Sequence, residues 1–157
     1  MSLASVRAHL SQYPFDLRIL ETEQSTATVA LAAQAHGVEP GRIAKTLAFR
    51  LNDARIILLV ARGDARIDNS AFKATFGKGK MLGPEEVLAI TGHPVGGVCP
   101  FGLAQSLPIY LDQTLRDFDP VLPAAGSVNS AVLVTLAQLE AITQGTWVRA
   151  CSPPVCD

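Results

Sequence analysis

The chain has 157 residues, 48% of them apolar and 17% charged, with a formal net charge of −1. That length suits one domain with a core of its own, and the composition excludes a disordered chain. No apolar run approaches the roughly 18–20 residues that span a bilayer, which excludes a helical membrane protein.

The first residues, from Ser2 to Leu10, read as a short helix rather than a secretory leader, so a cytoplasmic location is expected. Three cysteines, Cys99, Cys151 and Cys156, are an odd set at wide spacing. They suit a reducing compartment, with Cys151 and Cys156 close enough in sequence to pair or to stay free. No His or Cys pair has zinc-ligand spacing, and neither a metal nor another cofactor is expected. The charge is unevenly placed. From Arg42 to Lys80 there are nine basic residues and three acids, a net +6, whereas the rest of the chain has four against eleven, a net −7. This either makes one basic face for a nucleic acid or is spread over solvated surface.

Leu3, Val6 and Leu10 repeat at helical spacing, and Pro14 closes that segment. Residues 17–20 alternate as a strand. Ser25 or Thr26 is the expected N-cap of a helix over 27–36, with Gly37 as its stop. Pro40 opens a turn or a short helix. Residues 43–51 and 56–61 read as strands joined at Asn52-Asp53. Asp68 is the expected cap of a helix through Phe76, and Gly77 ends it. Another helix is expected over 84–90, with Glu85 and Glu86 in its first turn. Residues 92–102 are loop-rich. Short strands are expected over 108–111, 121–124 and 131–135, a helix over 136–142, and a last strand at Trp147-Val148. Helices and strands are interspersed without strict βαβ alternation, which indicates one α+β domain with a mixed sheet flanked by helices.

Two features carry chemistry. Lys45 interrupts the apolar odd-numbered row Ile43, Leu47, Phe49, Leu51. An ammonium in such a row either meets an anion or carbonyl, snorkels to water, or protects a strand edge. Gly96-Gly97-Val98-Cys99-Pro100 pairs two glycines with a stiff exit. Such a loop can aim N–H groups at an oxyanion, or can simply turn the chain. It matches neither a P-loop nor a dinucleotide fingerprint. No Gly-x-Ser-x-Gly element is present. Cys99 with His93 is the one conceivable thiol pair, and a Cys99-dependent ester hydrolase is one reading of it.

These segments together are similar to the YbaK/prolyl-tRNA-synthetase-associated family of aminoacyl-tRNA editing domains. The carriers are His36 to Leu47 with its Lys45-Thr46-Leu47, the loop Gly96 to Gly102, and Ala125 to Ser130 followed by a strand and a helix. The resemblance implies an α+β fold with a curved, barrel-like mixed sheet. It implies hydrolysis of the ester of mischarged tRNA, most readily tRNA(Pro) carrying a small wrong amino acid. The partners would be the tRNA acceptor end and prolyl-tRNA synthetase. It gives Lys45, Gly96 and Gly97 catalytic roles. Thr46, Val98, Cys99, Pro100 and Phe101 would bind substrate, as would Gly126, Ser127, Asn129 and Ser130. Water would be the nucleophile, which accounts for the missing triad. A non-catalytic tRNA- or synthetase-binding module of the same fold is the alternative.

Overall fold

The computed structural model describes residues 2–154; the pairing expected for Cys156 therefore lies outside the described residues. In chain order the elements are α1 (Ser2–Leu10), β1 (Ile19–Glu21), α2 (Val29–His36), β2 (Ile43–Leu51), β3 (Ile56–Arg62), β4 (Arg66–Ile67) and α3 (Asn69–Phe76). There follow β5 (Gly79–Met81), α4 (Pro84–Thr91), β6 (Ile109–Asp112), β7 (Leu122–Pro123), β8 (Ser130–Val132), α5 (Leu136–Thr143), β9 (Thr146–Val148) and β10 (Cys151–Ser152). Single 3-10 segments occupy Pro40–Arg42 and Gln113–Asp117.

The β2–β3 hairpin is the centre. Leu51 N–H donates to Arg55 O, and the tight turn places Ala54 at φ 71°. Residues Ile57 to Ala61 are fully buried, as a strand covered on both faces must be. β6 adds in parallel to β3, and β9 in parallel to β6. On the far side of β2 two short strands share one edge: β5 antiparallel at Phe49–Leu51 and β7 parallel at Ile43–Ala44. The resulting six-stranded mixed sheet runs β5-β2-β3-β6-β9, with β7 as the sixth strand beside β2, and stays open, because its end strands do not pair with each other among the described residues. The α+β class with a mixed sheet is thus found, whereas closure into a barrel is not. Two small ladders, β1–β8 and β4–β10, pack beside it.

Most expected elements form within a residue or two of their expected bounds. The N-cap of α2 is a correction: it is Thr28, whose Oγ1 accepts from Leu31 N–H at 3.1 Å. Thr26 N–H instead meets Val128 O at 2.6 Å, which keeps residues before the helix extended. Strand β5 has no sequence signal. Gly79-Lys80-Met81 is exposed throughout and is a strand because β2 offers it a ladder.

One face of the sheet is packed by Phe49, Leu51, Ile57, Leu59 and Phe72, and the other by α1, Phe101, Leu111, Val121 and Leu139. Asp112, fully buried, ties the end of β6 to the chain beyond β9. Its carboxylate accepts from Ala150 and Cys151 N–H at 2.7 and 3.0 Å, and from the N–H and hydroxyl of Thr114 at 2.9 and 2.6 Å. Four donors on one buried carboxylate satisfy its lone pairs and hold β10 against β4.

Candidate functional site

The gap between β5 and β7 on the outer edge of β2 opens into a cleft of about 330 Å³. Its floor is residues 43–48 of β2. One wall is the start of α2 with Thr26, Ala27 and Thr28, another is Leu82, Pro84 and Val87, and the third is Leu122, Ala124, Ser130 and Ala131. Val95, Gly96 and Val98 close one end. Apart from Lys45, no lining residue is charged, so the cleft is an apolar hollow with one cation and a few hydroxyls.

Lys45 leaves β2 on the face that carries Leu47 and Phe49. It is half-buried, and its Nζ donates to Ala65 O at 2.5 Å. Desolvation lowers its pKa from the usual lysine value; neighbouring Cys151 and Asp64 push it back up. Asp64 is itself engaged, since both its oxygens accept from Arg62. The ammonium is therefore a positioned donor with bonding capacity to spare, because a lysine head has three N–H groups.

Gly96 reaches the cleft on a turn that only glycine fits. Its φ is +92°, and a Cβ there would stand 2.9 Å from Ala27 Cβ. Gly97 sits one step behind: its N–H donates to Pro94 O at 2.9 Å and its O accepts from Gly126 N–H at 3.0 Å. Gly97 thus has its N–H engaged within the turn. Its structural task is to let the Gly126–Ser127 backbone approach, since a Cβ would stand 2.8 Å from Ser127 N.

The structure brings Lys45, Thr46, Gly96, Val98 and Ser130 to one cleft. It does not bring Cys99, Pro100 or Phe101 there. Cys99 and Phe101 are fully buried in the core, and Pro100 lines a separate hollow beneath α1. Burial pushes the Cys99 thiol up to about 12, and the Phe101 carbonyl accepts from it at 3.6 Å. Cys99 Sγ does lie 3.6 Å from His93 Nε2, but both side chains are fully buried and neither lines the cleft, so the arrangement does not favour a Cys99-dependent hydrolase. His93, also fully buried, bonds Phe101 O at 2.6 Å and the Ser2 hydroxyl, which makes it a clamp between α1 and the glycine loop. Gly126, Ser127 and Asn129 stand behind the lining. Ser127 Oγ bonds Asn129 Oδ1 and Ser130 Oγ, and Asn129 Nδ2 donates to Thr22 O. This network holds Ser130 in the cleft wall. The residues that sequence reading missed are the α2 approach, Thr26 to Val29, and the α4 side, Leu82 to Val87. Nothing local marks them; they arrive by packing.

Of the nine cations from Arg42 to Lys80, several are spent. Arg50 pairs with Glu86, Arg55 with Asp53, and Arg62 with Asp64 and Asp117. Arg42 donates to Pro120 O and lies over Phe118. Arg66, Lys73, Lys78 and Lys80 are exposed and have no acidic partner among the described residues. They lie around α3, where exposed Arg149 also sits beside Thr75 through its carbonyl.

This open mixed sheet, with its lysine and glycine turn on one cleft, is the framework of a known domain class. The chain belongs to the aminoacyl-tRNA editing domain family, whose model matches residues 23–142. It is 48% identical over 153 residues to YwhH of Bacillus subtilis (strain 168), covering 96% of this chain and 98% of that protein. It is 27% identical over 119 residues to EbsC of Enterococcus faecalis (strain ATCC 700802 / V583), covering 74% and 73%; that protein is named as a candidate Cys-tRNA(Pro)/Cys-tRNA(Cys) deacylase. A solved structure named as a candidate trans-editing enzyme for prolyl tRNA synthetase superposes with a TM-score of 0.84 at 31% identity, covering 96% of this chain and 97% of that one. No helix among the described residues is long and apolar enough to cross a membrane.

Proposed function

We propose that this chain is a trans-acting deacylase that hydrolyses the ester of mischarged tRNA, with tRNA(Pro) carrying a small wrong amino acid as its substrate. The observation that carries the reading is the cleft itself. It joins a desolvated lysine and a glycine turn; no cysteine or histidine lines it, and its one serine, Ser130, has only the Ser127 hydroxyl beside it and no base to activate it. Chemistry there needs an external nucleophile, and water suffices for an activated ester. Family membership and the names of EbsC and the trans-editing neighbour support the same reaction class.

In this mechanism Lys45 donates to the terminal phosphate or to the ester carbonyl, as a charge-assisted bond in a partly dry site. Backbone at the Gly96 turn approaches the reacting carbonyl without side-chain obstruction. Water, oriented by the ribose hydroxyl of the tRNA, adds to the carbonyl carbon. The ester C–O bond then breaks, and the products are the free amino acid and tRNA with a free terminal hydroxyl. The apolar walls, with no charge other than Lys45, suit an uncharged side chain. The exposed cations around α3 give the tRNA backbone, and a synthetase holding that tRNA, a surface to approach.

The test is incubation of the purified protein with tRNA(Pro) charged with alanine, serine or cysteine. Release of amino acid well above the uncatalysed rate with at least one of them is expected. Tight tRNA binding without any release would replace the enzyme by a binding module.

A further inference from the structure

Strand β2 has a paired side and an interrupted side. Leu51 N–H bonds Arg55 O, so the β2–β3 register directs the odd-numbered peptide groups of β2 towards β3. The even-numbered groups face the other way, as Leu82 N–H donating to Ala48 O shows. On that side β7 is paired at Ala44, and the β5 partner begins at Ala48. Thr46 lies between. Its N–H and C=O point outward, and neither has a hydrogen-bond partner among the described residues. The Thr46 hydroxyl is also buried without a partner, so it does not supply one to the backbone. A backbone donor and acceptor that no neighbouring strand takes up are free to bond a ligand or water. Here they line the cleft.

The shape of the gap restricts what can match them. Leu122–Pro123 stops it at one end and Leu82 at the other, so a strand cannot run through. There is room for one residue's worth of backbone. In an antiparallel pair, one residue answers another with both its N–H and its C=O. An esterified α-amino acid carries its amino nitrogen and carbonyl oxygen on that same N–Cα–C frame. Lys45 does not compete for the place, because strand side chains stand away from the pairing plane and its ammonium rests on Ala65 O.

We infer that the main chain of Thr46 binds the aminoacyl group as a one-residue strand: its C=O accepts from the α-ammonium and its N–H donates to the ester carbonyl. The inference rests on the deacylase reading for the identity of the ligand. It makes a free α-amino group a requirement of the site, whatever the side chain. The side chain itself is then judged by the apolar walls and Ser130.

Stable amides of adenosine test it without turnover. The probes are 3′-alanylamino-3′-deoxyadenosine, its propionyl counterpart that lacks only the amine, and free alanine, each titrated by calorimetry and by NMR of the Thr46 amide. The alanyl compound is expected to bind and shift that amide, and the propionyl compound to bind at least about tenfold more weakly, the range for a hydrogen bond to a charged group. Equal binding of the two nucleosides, or no binding of either, overturns the inference. Free alanine binding as tightly as the alanyl nucleoside also overturns it, since the site would then take amino acids alone. Deacylation of charged tRNA is measured in parallel. Selective binding without turnover would sink the deacylase and keep the amine site, and turnover with equal binding would do the reverse.

Discussion

Lys45 shows how one side chain can be costly to the fold and useful to the site. It stands in a row that packs on Phe72, and burial lowers its pKa while a single carbonyl holds its head. Replacing it by alanine removes a desolvated charge, so stability should change by about 1 kcal/mol or less, read by urea unfolding. Deacylation should fall about 10²–10³-fold, the range for loss of one preorganised donor. The lowered pKa sets a pH dependence as well. An ammonium whose pKa is below the ordinary 10.5 loses its proton earlier as pH rises. The enzymatic rate, after subtraction of base hydrolysis, should therefore decline at a lower pH than an ordinary lysine would give. A rate that stays level through that range would remove Lys45 from the chemistry. The sequence exposed this residue because it breaks an otherwise apolar alternation. It reached Thr46 only through the family resemblance; the backbone role proposed for that residue depends on where two other strands stop.

Among the elements, the glycine turn and the β6 terminus are the points of tight fit. Gly96→Ala would need a left-handed backbone for alanine and would push Ala27 at the mouth of α2. A loss of about 1–3 kcal/mol is expected, with activity falling further than stability does. Gly83→Ala is the matched control, since its φ is −72° and a Cβ there meets nothing within 4 Å. Asp112→Asn would turn part of a four-fold acceptor into a donor facing N–H groups. About 3 kcal/mol or more should be lost, measured by denaturant midpoint, because the stranded groups are fully buried. A change below about 1 kcal/mol would mean that β10 is held by other contacts. Gly96-Gly97 was legible as a special turn. Which of its N–H groups is free was not, because Pro94 and Gly126 take their shares only in three dimensions.

The whole molecule separates its charge. The basic excess from Arg42 to Lys80 is partly cancelled by ion pairs, and what survives gathers around α3. If tRNA crosses that face, Lys73→Glu, Lys78→Glu and Lys80→Glu combined should raise KM about tenfold or more at moderate salt and leave kcat within about twofold. The salt dependence of kcat/KM should become shallower at the same time. An unchanged KM would place the nucleic acid elsewhere.

What the sequence determined by itself was local. Caps, glycine stops and the two-residue and 3.6-residue periods predict the helices and the β2–β3 hairpin, because these depend on neighbours in the chain. The resemblance of Lys45-Thr46-Leu47 and the glycine loop to a family united two individually ambiguous signals. Tertiary structure decided the rest. It sent Cys99 and Phe101 into the core, left the sheet open, and made β5 a strand although its residues show no alternation. It also stopped β7 and β5 short of each other, which is why a cleft exists at Thr46. Each of these outcomes is set by partners distant in sequence, and a pairing partner leaves no trace in the residues it pairs with.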